Sequence, residues 1–239
     1  MVISLTSFSQ KPDTRYFEWR TYHCNDGRRP DLIKRFNDHT IRLFAKHGIT
    51  SVAYFIPADS TNYSLYFILT YPNEPSRDSL WNSFATDPEW VDAAAKSEAN
   101  GKLVAKVDQV FMRMMPELSA AVSKTHRRGK RIFELRTYHC FPGKLEAVNN
   151  RFRDHTRKLF EKHRITNIVY WNTIEKEGHQ PNLVYLLAHK SEEEGKASFA
   201  TFGTDPEWVK AKAASEANGK IVDRIESVYL VPLDFSPLK

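Results

Sequence analysis

Two short segments carry the residue types that proton transfer and oxyanion binding need. Phe17-Glu18-Trp19-Arg20-Thr21-Tyr22 and Phe133-Glu134-Leu135-Arg136-Thr137-Tyr138 each space a carboxylate, a guanidinium and a phenol two residues apart. Two is the side-chain period of a β-strand, so Glu18, Arg20 and Tyr22 share one face and Phe17, Trp19 and Thr21 the other. The same holds for Glu134, Arg136 and Tyr138 against Phe133, Leu135 and Thr137. On such a face a glutamate can accept a proton, an arginine can grip a carboxylate or enolate oxygen, and a tyrosine can donate a hydrogen bond. Glu18, Glu134, Tyr22 and Tyr138 are therefore candidate catalytic residues, and Arg20 and Arg136 candidate substrate-binding residues. The competing reading is a structural ion-pair network, because buried charges persist only where they are paired.

His39 and His155 complete the candidate set. Each follows an aspartate, Asp38 or Asp154, and lies between apolar residues three positions before and four after. That spacing suits a histidine at the edge of a helix core, or else a base or haem ligand. His47 and His163 fall in a last helical turn, where a cation complements the dipole. No His, Cys or carboxylate group has zinc spacing, and there is neither a glycine-rich phosphate loop nor a nucleophile elbow. No metal and no cofactor is expected, with haem left open.

The elements that must position these residues occur twice. Phe17–Cys24 returns as Phe133–Cys140 with seven of eight identities at an offset of 116. Arg35–Phe55 returns as Arg151–Trp171 with 12 of 21, and Phe84–Val104 as Phe202–Val222 with 16 of 21 at an offset of 118. A two-residue insertion therefore separates the last two blocks in the second copy, most naturally in the polar turn 175–181. Each copy reads as a strand, a helix from Pro30 to His47, a hairpin of strands at 50–57 and 64–71, a helix opened by Asp87-Pro88-Glu89-Trp90 and closed by Asn100-Gly101, and a last strand near 104–115. Trp90 and Trp208 are expected to anchor that second helix. The order β-α-β-β-α-β is ferredoxin-like, an α+β module with helices on one sheet face. The other face needs cover, and the second copy supplies it. The two modules are expected to form an intramolecular dimeric α/β barrel. The apolar strand set should then face the helices, leaving the Glu, Arg and Tyr of each copy inside the barrel.

The boundaries that follow are a tail at 1–14, a first domain at 15–118, a basic linker at 119–130 and a second domain at 131–239. With 41% hydrophobic residues, fifteen Phe, ten Tyr and five Trp, the chain can build real cores, which argues against global disorder. No apolar run reaches the roughly 18–20 residues of a membrane helix, and the N-terminus makes a poor signal peptide. Much of the formal net charge of +6 lies in 124–131, a solvated linker or an anion patch. Nucleic acid is not expected, because no binding motif accompanies the charge. Cys24 and Cys140 occupy the same repeat position; two cysteines fit a reducing compartment better than a disulfide scaffold.

The residues Phe133–Tyr138, Pro142-Gly143-Lys144-Leu145, Arg151–Thr156, Leu159–His163, Asp205-Pro206-Glu207-Trp208 and Phe235-Ser236-Pro237 resemble the NIPSNAP family, twice over and across nearly the whole chain. The resemblance implies the dimeric α/β-barrel fold, here within one chain. Eukaryotic members look mitochondrial and are linked to vesicle and mitophagy roles; barrel relatives include monooxygenases, isomerases, cyclases and haem proteins. Fold alone does not choose among these. The reading favoured is a pocket protein for an anionic or oxygenated small molecule, acting as a cofactor-independent enzyme if it is one at all. A non-enzymatic interaction module and a haem protein are the alternatives. Placement is expected to be cytoplasmic, or the mitochondrial matrix in a eukaryote, and homo-oligomerisation of the two-domain chain stays open. The copies also differ. Copy one has Asp26-Gly27-Arg28-Arg29 where copy two has Pro142-Gly143-Lys144-Leu145, and copy two has Arg164 in place of Gly48. One end of the barrel is thereby marked as the potential working end.

Overall fold

A computed structural model describes residues 14–119, 130–175 and 180–239. The N-terminal tail except Thr14, most of the basic run and part of the inserted turn lie outside the described residues. The first half contains strands β1 Tyr16–Cys24, β2 Thr50–Pro57, β3 Ser64–Tyr71 and β4 Val104–Met114. Its helices are α1 Arg29–Arg35, α2 Ile41–Lys46, α3 Glu74–Ala85 and α4 Pro88–Ser97. The second half repeats them as β5 Ile132–Cys140, β6 Thr166–Thr173, β7 Leu183–His189 and β8 Val222–Pro232. Its helices are α5 Leu145–Arg151, α6 Arg157–Lys162, α7 Glu192–Gly203 and α8 Pro206–Ser215.

Two features depart from the sequence reading. The first helix of each half is interrupted by a π-helical turn, Phe36–Thr40 and Phe152–Thr156. There the Thr40 and Thr156 hydroxyls donate to the carbonyls of Arg35 and Arg151, five residues back, at 3.2 and 3.1 Å. Each half also has an extra helix, α3 or α7, between its third strand and the Asp-Pro-Glu-Trp helix. In α3 the only apolar side chains are Leu80, Trp81 and Phe84 apart from Pro75 and Ala85, too sparse a stripe to read as a helix. Asn73 and Ser191 cap these helices by accepting from the amides of Ser76 and Glu194.

The eight strands close into one barrel in the order β1-β3-β2-β8-β5-β7-β6-β4. Within a half every pairing is antiparallel, the ferredoxin-like arrangement. Each seam between halves is three residue pairs long, Phe55–Pro57 against Leu230–Pro232 and Met112–Met114 against Trp171–Thr173. The chain after β4 and after β8 then crosses onto the opposite half. Met115 donates its amide to the Tyr170 carbonyl, and Ser119 Oγ accepts the Tyr170 amide; Leu233 and Ser236 do the same at Tyr54. A twofold-like exchange of segments thus reinforces two short seams.

The facing expected from the sequence is reversed. Phe17, Trp19, Phe133 and Leu135 lie in the barrel interior with Phe55, Ile68, Met112, Trp171, Leu186 and Leu230. Rings from the two halves meet there, Phe17 with Trp171 and Phe55 with Phe133. Glu18, Arg20 and Tyr22, and Glu134, Arg136 and Tyr138, instead point to the helix layer. The physical reason is that the interior is the one volume both halves can fill with large apolar side chains, whereas the helix layer offers polar partners. An unpaired charge inside would cost several kcal/mol; under the helices it is paired.

Helix ends show where the halves diverge. At the C-terminus of α2, Gly48 at φ +74° completes a Schellman cap, with the Ile49 amide bonding the Phe44 carbonyl at 2.9 Å. At the end of α6 the same cap forms, Ile165 to Phe160 at 2.8 Å, but the left-handed residue is Arg164 at φ 62°. That conformation strains a residue with a Cβ by about 1 kcal/mol or more. Cys24 and Cys140 are free thiols whose ionisation is disfavoured, first of all by burial.

Candidate functional site

Each half holds one buried carboxylate on the middle of its first strand, facing the helix layer. Glu18 is fully buried and accepts from four donor atoms of three residues: Arg20 Nη1 at 2.5 Å, Tyr71 Oη at 2.6 Å, and Arg77 Nη2 and Nε at 2.9 and 3.2 Å. Arg77 comes from α3, and Trp81 one turn on lies 4.3 Å beneath the Arg20 guanidinium. Two guanidiniums around one carboxylate, with aromatic faces against both, make a closed electrostatic unit. Tyr71 is correspondingly hard to ionise, through burial and then the Glu18 charge. This cluster reads as structure.

The second half builds the same position differently. Glu134 accepts from Arg136 Nη1 at 2.5 Å, Ser227 Oγ at 2.6 Å and His189 Nε2 at 2.9 Å. Tyr229 lies close enough that, after burial, the Glu134 charge makes its hydroxyl harder to ionise. At the repeat offset of 118, His189 stands where the first half has Tyr71, Gly195 where it has Arg77, Ser227 where it has Gln109, and Tyr229 where it has Phe111. A second guanidinium has been exchanged for an imidazole and an empty backbone. Glycine gives the ring room at that point: a Cβ on Gly195 would sit 3.0 Å from His189 Cγ and 3.1 Å from Tyr229 Oη, tight enough that both would have to shift. Burial alone would raise the Glu134 carboxyl, but the bonds from His189, Ser227 and Arg136 outweigh it and hold the group below its ordinary 4.5. With Glu134 ionised, the hydrogen of the His189 contact belongs to Nε2.

The two arginines are supported unequally. Arg136 Nε donates to Tyr185 Oη at 3.1 Å, and the Tyr185 ring packs edge-on against Tyr138 with centroids 5.4 Å apart. In the first half the matching residue is Phe67, and Arg20 Nε is buried with no partner. Tyr185→Phe is therefore expected to lower stability by about 1–3 kcal/mol, the range for a stranded buried donor, with little change in volume. Urea unfolding of the two proteins checks this; an unchanged midpoint would show that the Nε bond contributes nothing.

The candidates from the sequence thus separate. Glu18 with Arg20, and Glu134 with Arg136, come together as read, but under the helices rather than inside the barrel. Tyr22 packs edge-on against Phe36 and Phe67, a core ring. His39 and His155 sit in the π-helical turns, half-buried and exposed, and hydrogen-bond to no member of either cluster. His47 and His163 bind the capping carboxylates Asp87 and Asp205 at 2.7 Å, tying one helix end to the start of the next. Ser64, His23 and Asp108 form a chain of contacts at 3.2 and 2.7 Å with the connectivity of a nucleophile triad. Ser64 is 4% exposed, so no substrate reaches it, and the chain is a brace. His189, Gly195, Ser227 and Tyr229 escaped the sequence reading because they come from three elements, β7, α7 and β8, far from Glu134 in sequence. Comparing Tyr71 with His189 and Arg77 with Gly195 across the repeat was the signal that could have found them.

His189 also forms part of the wall of a surface cleft of about 480 Å³ at the end of β7. Around it lie Lys130, Arg131, Arg164 and Lys190. No helix among the described residues is long and apolar enough to cross a membrane.

Comparison with known proteins agrees with this architecture. An anthrone oxidase-like protein superposes with a TM-score of 0.60 at 8% identity, covering 94% of each chain. A putative monooxygenase from Lactobacillus acidophilus NCFM gives 0.56 at 11% identity, covering 92% of this chain and 94% of that one. A NIPSNAP family protein from Agrobacterium tumefaciens is 21% identical over 48% of this chain and 99% of its own, with a TM-score of 0.40. At such identities the first two likenesses speak to fold alone. No protein of curated function matches in sequence. The NIPSNAP profile matches residues 17–118 and again 133–237, one copy per half of the barrel, and the chain belongs to the NIPSNAP family.

Proposed function

We propose that this protein binds a small oxygenated organic molecule and that the second half is the working half. The observation that carries the reading is the exchange of Tyr71 and Arg77 for His189 and Gly195. The first half surrounds its glutamate with two permanent cations; the second leaves it one, Arg136, and an imidazole that can exchange a proton. A filled barrel interior moves the pocket out to the cleft that His189 borders. Glu134 then serves as the positioning residue that fixes the imidazole's tautomer, not as the proton acceptor, because its own proton affinity is lowered. Arg136 balances the charge of the pair, and Nδ1 is the His189 nitrogen that Glu134 does not use; because the His189 side chain is 1% exposed, a ligand proton reaches it only once the Gly195 turn of α7 moves aside. The chemistry this offers is cofactor-independent proton transfer next to a carbonyl.

The test uses a panel of 2-oxo acids and hydroxyketones. Binding is followed by ligand-observed NMR and α-proton exchange by loss of signal in deuterium oxide. His189→Asn is expected to abolish both, while Tyr71→Phe at the matching position leaves both unchanged. If the two variants behave alike, the second half has no special role. The interaction-module alternative draws support from the packed interior and from Val91 and Val209, matching outer-helix residues that are 54% and 53% exposed.

A further inference from the structure

The cleft beside His189 has a charge that its first-half counterpart lacks. Lys130, Arg131, Arg164 and Lys190 line it with Glu194 as the one acidic side chain, which pairs with Lys190 at 3.5 Å, while Arg131 already donates to the Lys239 main-chain oxygen. At the repeat offsets the same positions in the first half are Thr14, Arg15, Gly48 and Pro72, one cation in place of four. Arg164 is the most informative of them. It occupies the left-handed cap position that Gly48 fills without strain, and it makes the same cap hydrogen bonds. Backbone strain at a residue whose side chain lines a charged cleft is the pattern of a binding position maintained against local stability. The fork of a guanidinium, beside an ammonium and the Thr166 hydroxyl, matches the oxygens of a carboxylate or phosphate group.

We infer that this cleft is an oxyanion subsite: it holds the carboxylate or phosphate of a small organic ligand on Arg164 and Lys190, with the rest of the molecule directed to His189. The inference rests on the reading of the second half as the working half and adds the ligand's class. At about 480 Å³ the cleft admits a metabolite-sized anion and not a folded partner.

Arg164→Gly separates binding from folding, because the first half shows that glycine suits the cap. The full chain is melted with inorganic phosphate, with succinate, and with sodium chloride at matched ionic strength. Without ligand the variant is expected to melt about 2–4 °C higher, the relief of strain exceeding the chain entropy that glycine adds to the unfolded state. It is expected to lose the anion-induced rise, with affinity weakened at least about tenfold. Whichever of phosphate and succinate stabilises the native protein more identifies the oxyanion. A rise that survives Arg164→Gly overturns the subsite, as does a native protein to which neither anion gives more than sodium chloride does. His189→Asn serves as the second variant. If the Arg164-dependent rise persists in it while the oxo-acid panel never binds, the subsite stands and only the His189 reading falls.

Discussion

Glu18→Gln is expected to be among the most damaging single changes in the chain, lowering stability by about 3–5 kcal/mol and the melting temperature by roughly 6–20 °C. The carboxylate is fully buried and is the common acceptor of Arg20, Arg77 and Tyr71. Neutralising it leaves two guanidiniums close together under α3, each already shielded from water by the Trp81 ring. The attraction of Glu18 for both guanidiniums disappears while their mutual repulsion remains, which is why removal of one partner exceeds the net worth of the intact cluster. Glu134→Gln faces one guanidinium only, and the Ser227 hydroxyl can turn to accept from the new amide, so a smaller loss is expected there. Guanidinium chloride unfolding of both variants gives the comparison. A Glu18→Gln loss below the Glu134→Gln loss would mean that Arg77 does not belong to the cluster in solution.

The contrast shows what the sequence could and could not convey. The repeat, the strand spacing and the helix signals at Asp87-Pro88 and Asp205-Pro206 were enough for the topology, because each is a local pattern tied to a local backbone geometry. Even the pairing of Glu with Arg two residues away follows from strand period alone. Which face of β1 turns inward does not follow, since Phe17-Trp19 and Tyr16-Tyr22 are both apolar enough to be buried. The choice was made by partners distant in sequence: Trp171 and Met112 for the interior, Arg77 and Trp81 for the helix side. The helix that carries Arg77 and Trp81 was itself hidden by its polar composition, so the partners that stabilise Glu18 were absent from the reading. The asymmetry between the two glutamate clusters escaped for a similar reason. Repeat identities drew attention to what the halves share, whereas the proposed site lies where they differ, at His189, Gly195, Tyr229 and Arg164.

Converting the second half into a copy of the first should therefore remove function while keeping the fold. Gly195→Arg alone is expected to destabilise the protein by about 1–3 kcal/mol, because a Cβ there presses on the His189 ring at 3.0 Å and a guanidinium must follow it into a packed site. The combined variant His189→Tyr, Gly195→Arg, Tyr229→Phe supplies the tyrosine, the second guanidinium and the phenyl ring that surround Glu18. It is expected to regain most of that stability, since the new arginine then has a carboxylate to bind and the tyrosine hydroxyl replaces the imidazole donor. Ligand binding is expected to be absent from both proteins. A structural role for His189 would give a different result: binding by the combined variant would recover together with its melting temperature. Recovery of stability without recovery of binding assigns the Glu134–His189 pair to function, and the sum of the single-variant losses set against the combined value measures how far the three positions act as one unit.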